Sequence, residues 1–575
     1  MLSPHRLPLH TVDQLARGGG DEAALRLLSD GQLSARLVAL RTLLDEVSTR
    51  SSLLGLDEAW DLLTAAQRKS PSLVRDVLVQ PQIGIWLADV LRALHGTMES
   101  AAPLWVEVGY LSCVAAAAAH RCDIDFALDV PVSRGVISLP SLGIATVQAA
   151  GPWALARAER RDGRLTLSCR GHTVRIPDDE HWSPVRRIGP PGFLPLLDDV
   201  DPRRDYRAPA PPHRLTDLDV ARWDEGLNQA WALLSPEHAN ALSALVSTIV
   251  PVPSLPGGRP YSGSSADAFG AVLMSEPLDS TAFAEALTHE VQHTKLAGLD
   301  TMQPLCALGG NAYCYAPWRD DPRPVSGLLQ GVYAFLGVTD FWRARRLVAA
   351  SDRADFEFAL WRSQTLHAAR FLRNCPELTH LGRRFAAVMV ARLSGWSNVE
   401  VGSEAGRAAW LAAQDHRATW RARHLTPDPM AVKELVEAWL HGQPRPLGAV
   451  PHPTLSPRPT SPLPRLELRR LWLRAPTEFT GRVQDVLATA TAADVRHVAG
   501  DDEEAARLYV ADIAARPDDV QAWIGLGLAD PGTRALLLFP ELVVAAHAEI
   551  AACTGEFPDP RALAAWAGGD RSAGG

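Results

Sequence analysis

Lysine is almost missing from this chain of 575 residues: it occurs only at 69, 295 and 433, so 54 of the 57 basic side chains are arginine. That skew fits a GC-rich coding sequence better than an arginine-specific chemistry. Acidic side chains outnumber basic ones, and the net charge is -9. No basic field is available to hold a phosphate backbone, so nucleic acid is not an expected partner. Long apolar runs are also absent. Cys113 to Ala119 stops at His120-Arg121, and Ala535 to Cys553 is broken by Pro540, Glu541, His547 and Glu549, whereas a spanning helix needs about 20 mainly apolar residues. No membrane is expected. Met1 to His10 carries Arg6 and no apolar stretch, which predicts no secretory signal and a cytoplasmic protein. The seven cysteines (113, 122, 169, 306, 314, 375, 553) are odd in number and lack CxxC spacing. That argues against a disulfide framework, a zinc ribbon or a cysteine-held iron–sulfur cluster.

The composition, 47% hydrophobic and 21% charged, is that of a chain able to bury several cores. The pattern predicts a mainly α protein with a small antiparallel β section, an α+β architecture. Leu33 to Leu44 and Leu56 to Leu63 carry apolar residues at helical spacing, and Trp105 to Ala119 is an alanine-rich buried run. Strands are expected at Phe126 to Val132, Gly135 to Leu139, Leu165 to Cys169 and Thr173 to Ile176. Helices resume at Leu218 to Leu234 and Glu237 to Ile249. Ser280 is the expected N-cap of a helix over Thr281 to Leu296 that ends at Gly298, and several more helices fill Val325 to Leu440. Eight prolines between Pro444 and Pro464 exclude a helix or an inner strand and mark a linker or a wrapped extended segment. Ala492 to Leu528 reads as two helices about the turn Arg516-Pro517-Asp518-Asp519, similar to one tetratricopeptide unit, which would pack on neighbouring helices as a cap. The chain thus divides into 1–120 (helical), 121–213 (β-rich with a Pro-rich connector), 214–443 (catalytic region), 444–465 (linker) and 466–575 (helical, tetratricopeptide-like).

One motif stands above the rest: His289-Glu290-Val291-Gln292-His293, inside an expected helix. Residues i and i+4 share one helix face, so both imidazoles can reach a single metal, with Glu290 at the same end. The bland alternative is two solvent-facing histidines on an amphipathic helix. His120, His181, His367 and His380, taken singly, are expected to be surface or satisfied core residues.

Two histidines do not complete a site. A hydrolytic zinc needs a third ligand and a water, whereas a non-haem iron oxygenase needs a facial triad with open positions. The extension HExxHxxGxxH is absent, and no Asn-Glu-x-x-x-Glu occurs downstream, which disfavours the standard peptidase families. Instead the chain continues to Tyr315-Ala316-Pro317-Trp318-Arg319-Asp320-Asp321-Pro322-Arg323-Pro324. Its prolines stiffen a loop in which Arg319 and Arg323 offer planar forks to a carboxylate. The alternative is an Arg–Asp network with Asp320 and Asp321 that holds only the loop itself.

These residues resemble a known family. Leu287 to His293, preceded by Ser262-Gly263-Ser264-Ser265 and Asp267 to Val272 and followed by the Pro317 to Pro324 loop, is similar to the HExxH domain of ribosomal-peptide modification clusters. Members occur alone or behind cyclophane-forming radical SAM maturases, and they include α-ketoglutarate-dependent peptide β-hydroxylases. The likeness extends to His5-Arg6-Leu7-Pro8 with Gly18-Gly19-Gly20, to Val130-Pro131 and Leu139 to Gly143, and to the C-terminal helices. It implies iron ligation by His289 and His293 and a co-substrate site at or near Arg319 and Arg323. The third ligand does not transfer; by placement Gln330 is the choice, Tyr333, Asp340, Asp320 and Asp321 being the alternatives, although a carboxylate is chemically more usual.

The expected function is an Fe(II)- and α-ketoglutarate-dependent oxygenase that hydroxylates a side-chain β-carbon in a ribosomally synthesised precursor peptide, with a maturase as a further partner. The alternatives are a zinc peptidase with Glu290 as general base and a non-catalytic peptide-binding scaffold.

Overall fold

The computed structural model describes residues 7–48, 56–100, 102–256, 258–307, 309–310, 312–348, 351–446, 453–459, 463–477, 479 and 489–569. His5-Arg6 and much of the Pro444 to Pro464 stretch lie outside the described residues. The chain forms two compact units, Met1–Leu305 and Cys306–Gly575. This division falls inside the 214–443 segment rather than at the prolines. Among the described residues no single helix is long and apolar enough to cross a membrane.

In the first unit, helices Glu22–Ser48, Leu56–Lys69, Pro71–Leu78, Pro81–Leu94 and Leu104–Arg121 precede a sheet. Pro71 and Pro81 each open a helix at its first turn, where the missing N–H costs nothing. Ala115 to Ala119 are fully buried, and the short side chains of Ala115 to Ala118 share one core with Val130, Val132, Ile137 and Leu167. The sheet comprises β1 (Phe126–Ser133), β2 (Val136–Leu139), β3 (Gly143–Thr146), β4 (Trp153–Arg161), β5 (Arg164–Cys169), β6 (His172–Ile176) and β7 (Trp182–Pro184), in the order 6-5-4-1-2-3-7. All neighbours are antiparallel. The four expected strands are present, and β3, β4 and β7 complete the sheet.

A second sheet joins β8 (Arg186–Arg187), β9 (Leu196–Leu197), β10 (Thr248–Pro251), β11 (Ser262–Gly263) and β12 (Ala271–Met274) in the order 11-12-10-9-8. This corrects the helix expected over Glu237 to Ile249. The helix is Pro236–Leu245, and the β-branched run Thr248-Ile249-Val250 becomes a central strand, parallel to both β9 and β12. Burial on both faces of a parallel strand favours such a run over helix. Helix Asp217–Trp231 starts at a capping box made by Thr216 and Asp219.

The second unit is built on helices Val325–Val348, Asp352–Arg373, His380–Ser394, Ser403–His424 and Pro429–Leu440, followed by Pro464–Arg474, Ala492–Val498, Asp502–Ala515, Val520–Ala529, Pro540–Thr554 and Pro560–Gly568. The helices after the prolines share cores with those before them. Leu435 and Val436 pack with Tyr509, Trp523 and Val543, and Leu411 and Ala418 pack with Ile524 and Leu528. Part of the Pro-rich stretch is a wrapped strand, Thr454–Leu455 pairing antiparallel with Leu425–Thr426.

Candidate functional site

The motif lies on helix Ser280–Met302 of the first unit. Its N-cap is Asp279, whose carboxylate accepts from the Ala282 N–H at 2.7 Å, one residue before the expected Ser280. The helix also runs past Gly298. That glycine serves packing rather than termination: a Cβ there would sit 3.1 Å from Leu28 and 3.2 Å from Phe269. Two neighbouring helices press on this one. Gln32 donates to Thr301 Oγ1 at 2.9 Å, and Phe283 meets Trp223 edge-on at 5.8 Å.

Phe283, Leu287, Val291 and Leu299 bury the apolar face, which leaves His289 and His293 half-buried one turn apart. Their Nε2 atoms converge to 3.1 Å, with ring centroids 4.8 Å apart. Burial, followed by the neighbouring His293, pushes His289 down to about 4 against a smaller opposing pull from Glu290. Its imidazole is therefore neutral at physiological pH, the form that offers a lone pair.

Glu290 is buried, and both of its oxygens are engaged. Ser262 Oγ–H donates to Oε1 and Ser264 Oγ–H to Oε2, each at 2.7 Å. The two serines lie two residues apart on an extended segment, so they point the same way and can grip one carboxylate. Nearby, the hydroxyls of Tyr206 and Tyr261 lie 3.2 Å apart. Gly263 has no side chain because a Cβ would stand 2.6 Å from one hydroxyl and 2.7 Å from the other. Burial, Tyr261 and the charge of Glu290 push the Tyr206 phenol far above its ordinary value, so it remains an O–H. Further along the helix, Lys295 donates to the carbonyls of Gly18 and Gly19, and Gln292 donates to Gly18 at 3.2 Å. A Cβ on Gly19 would meet Glu237 Oε1 at 2.1 Å, so the exposed Glu237 side chain would have to swing aside. The glycine triplet is thus the docking point of the motif helix. Its sequence signal was visible; its target was not.

Arg319, Arg323 and Gln330 belong to the second unit. A short hairpin pairing Cys314 with Arg323 and Tyr313 with Pro324 closes the Pro-rich loop. Within it Asp321 receives Arg319 Nε–H at 2.8 Å and Arg323 Nη1–H at 3.3 Å. Burial raises the Asp321 carboxyl, but the Arg319 hydrogen bond and charge outweigh it, with help from Arg323, and hold it below the ordinary range. Trp318 stacks on Phe335 at 4.8 Å over Gly331, where a Cβ would lie 2.4 Å from the indole. Gln330 is half-buried on helix Val325–Val348, and Tyr333 is fully buried against Phe385.

A histidine cluster that sequence reasoning missed supports this loop. His424 Nε2–H donates to the Asp320 carbonyl at 2.6 Å, and its Nδ1 accepts from Arg458 N–H at 3.2 Å, which fixes a neutral tautomer. His416 Nδ1 lies 2.9 Å from the Tyr315 hydroxyl, and burial pushes it down to about 4. Both residues sit on the face of Ser403–His424 that packs inward, and only the fold reveals what they meet.

Among the described residues no group of three or more His, Cys, Asp or Glu is arranged to hold a metal. The His289–His293 pair fits a transition metal in donor type and spacing, and it would supply two ligands. No protein-family model matches the chain, and no curated protein matches it.

Proposed function

We propose that the protein is a non-haem Fe(II)- and α-ketoglutarate-dependent oxygenase that hydroxylates a β-carbon in a ribosomally synthesised precursor peptide. The observation that carries this reading is the pair of converging imidazoles on a helix whose glutamate is withdrawn into a serine clamp. His289 and His293 would hold the metal, which when bound supplies the activation of O2. The chain's own contribution is rigidity. Asp279 starts the helix, Gly298 lets it pack closely, and Lys295 with Gln292 ties it to Gly18 and Gly19, so the two imidazoles are held in one orientation.

Zinc peptidase chemistry is the less favoured alternative. Its general base must take a proton from a water, and Glu290 is buried with a serine hydroxyl on each oxygen. The roles of Arg319 and Arg323 at the keto acid and of Gln330 as third ligand rest on the sequence and the family resemblance. Metal analysis of protein purified without oxygen tests the reading: about one iron per chain supports it, and stoichiometric zinc that supports peptide cleavage defeats it.

A further inference from the structure

In the first unit a cavity of about 250 Å³ has no residue of the motif helix in its lining. It is lined by Ser29 and Arg36 of helix Glu22–Ser48, by Arg187 and Phe193, and by Ser243 and Ser247. The volume exceeds the share of a single water, roughly 30 Å³, several times over. Its charge is one-sided. Arg36 is only 6% exposed, yet its partners are three backbone carbonyls: Nη1 donates to Leu78 at 2.8 Å and Gln80 at 3.0 Å, and Nη2 donates to Phe269 at 3.1 Å. These bonds use three of the five guanidinium N–H groups. Among the described residues no carboxylate pairs with it, and burial pushes it down to about 10.

Arg187 is exposed and donates to the Leu194 carbonyl at 2.6 Å. Arg121, half-buried and held by the Ser141 carbonyl at 3.3 Å, feels the positive charge of Arg187 and, less strongly, the opposing charge of Asp76. The acidic residue beside Ser29, Asp30, is already taken by Arg75 at 2.6 Å. A buried guanidinium without a counter-charge is costly. An anion entering the cavity would supply that charge.

We infer that this cavity is a binding site for a small organic or inorganic oxyanion, a carboxylate or phosphate group, recognised by Arg36 inside and Arg187 outside. Carbonyl oxygens satisfy part of the Arg36 hydrogen-bonding capacity and none of its charge, and the planar fork suits either oxyanion. The inference is independent of the iron reading.

Isothermal titration of the full chain with sodium phosphate and, separately, sodium succinate at constant ionic strength tests it. Saturable binding of either anion is expected, and the tighter of the two identifies the chemistry. Arg187→Glu, at an exposed position, should weaken that binding about tenfold or more while leaving the unfolding temperature in anion-free buffer unchanged. Absence of saturable binding of both anions up to about 10 mM, or equal affinity in Arg187→Glu, overturns the proposal. Arg36→Lys, which keeps the charge and loses the fork, should bind more weakly than the parent.

Discussion

Ser264 donates a 2.7 Å hydrogen bond to Glu290, and with Ser262 on the other oxygen this makes the motif glutamate an anchored carboxylate inside the first unit. Glu290→Gln is therefore expected to keep much of its oxygenase turnover. A peptidase that relied on Glu290 as base would lose roughly 10²- to 10⁴-fold. The fold should lose only about 1 kcal/mol, because a serine hydroxyl can turn to accept from the new amide. Initial rates and chemical denaturation read the two effects separately.

His289→Ala and His293→Ala should each abolish stoichiometric metal binding, because neither leaves two converging imidazoles. Both side chains are only half-buried, so the unfolding midpoint should move little. Metal content by elemental analysis and thermal unfolding check this pair of outcomes. Full metal occupancy in the double variant contradicts the assignment.

Arg323→Ala is expected to raise the α-ketoglutarate concentration needed for half-maximal activity by about tenfold, equivalent to roughly 1.4 kcal/mol. The effect is modest because Arg323 is partly exposed and shares Asp321 with Arg319. Arg323→Lys should recover part of the loss, since an ammonium cannot make the two-pronged contact. Titration of activity against the keto acid measures it.

The buried alanine run, the β-rich stretch from Phe126 to Val132 and the HExxH spacing were legible because each is a pattern among near neighbours in the chain. What escaped were decisions made by distant partners. Thr248-Ile249-Val250 left its helix because two parallel neighbours were waiting, and Gly298 resembles a stop signal until Leu28 and Phe269 are placed against it. Ser262 and Ser264 stand in a recognisable Ser-Gly-Ser-Ser stretch, but their grip on Glu290 spans 28 and 26 residues of sequence. The clamp was written in the i, i+2 spacing; its target was not.

Asp198 yields a pH prediction. Burial, then the neighbouring Asp201, raise its carboxyl to about 7, far above the unfolded value of roughly 3.9. The unfolded chain gives up this proton first as pH rises. The stabilisation is therefore complete below about pH 4 and is lost as pH climbs through 7. Asp198→Asn should flatten that decline and raise stability at pH 8 by an amount on the order of 1 kcal/mol. Gln82 can turn its amide so that the oxygen now lacking a partner meets the new amide. Unfolding midpoints across pH 4 to 8 check the slope.

Arg465 tests the C-terminal helices. It is fully buried and grips both oxygens of Asp415, at 2.9 and 2.7 Å, with Asp494 at 2.8 Å. Arg465→Met leaves two buried carboxylates without their cation and should cost about 3–5 kcal/mol. Ending the chain at Pro444 should give insoluble protein, because Leu411, Ala418, Leu435 and Val436 lose their covering helices. Denaturation curves and soluble yield measure the two outcomes.

The central claim meets its most direct test in the mass of a precursor peptide incubated with the protein, Fe(II), ascorbate, O2 and α-ketoglutarate. The oxygenase account predicts a gain of one oxygen atom that requires the keto acid and disappears in His289→Ala. Peptide cleavage without the keto acid, or oxygen insertion that survives loss of both histidines, would contradict it.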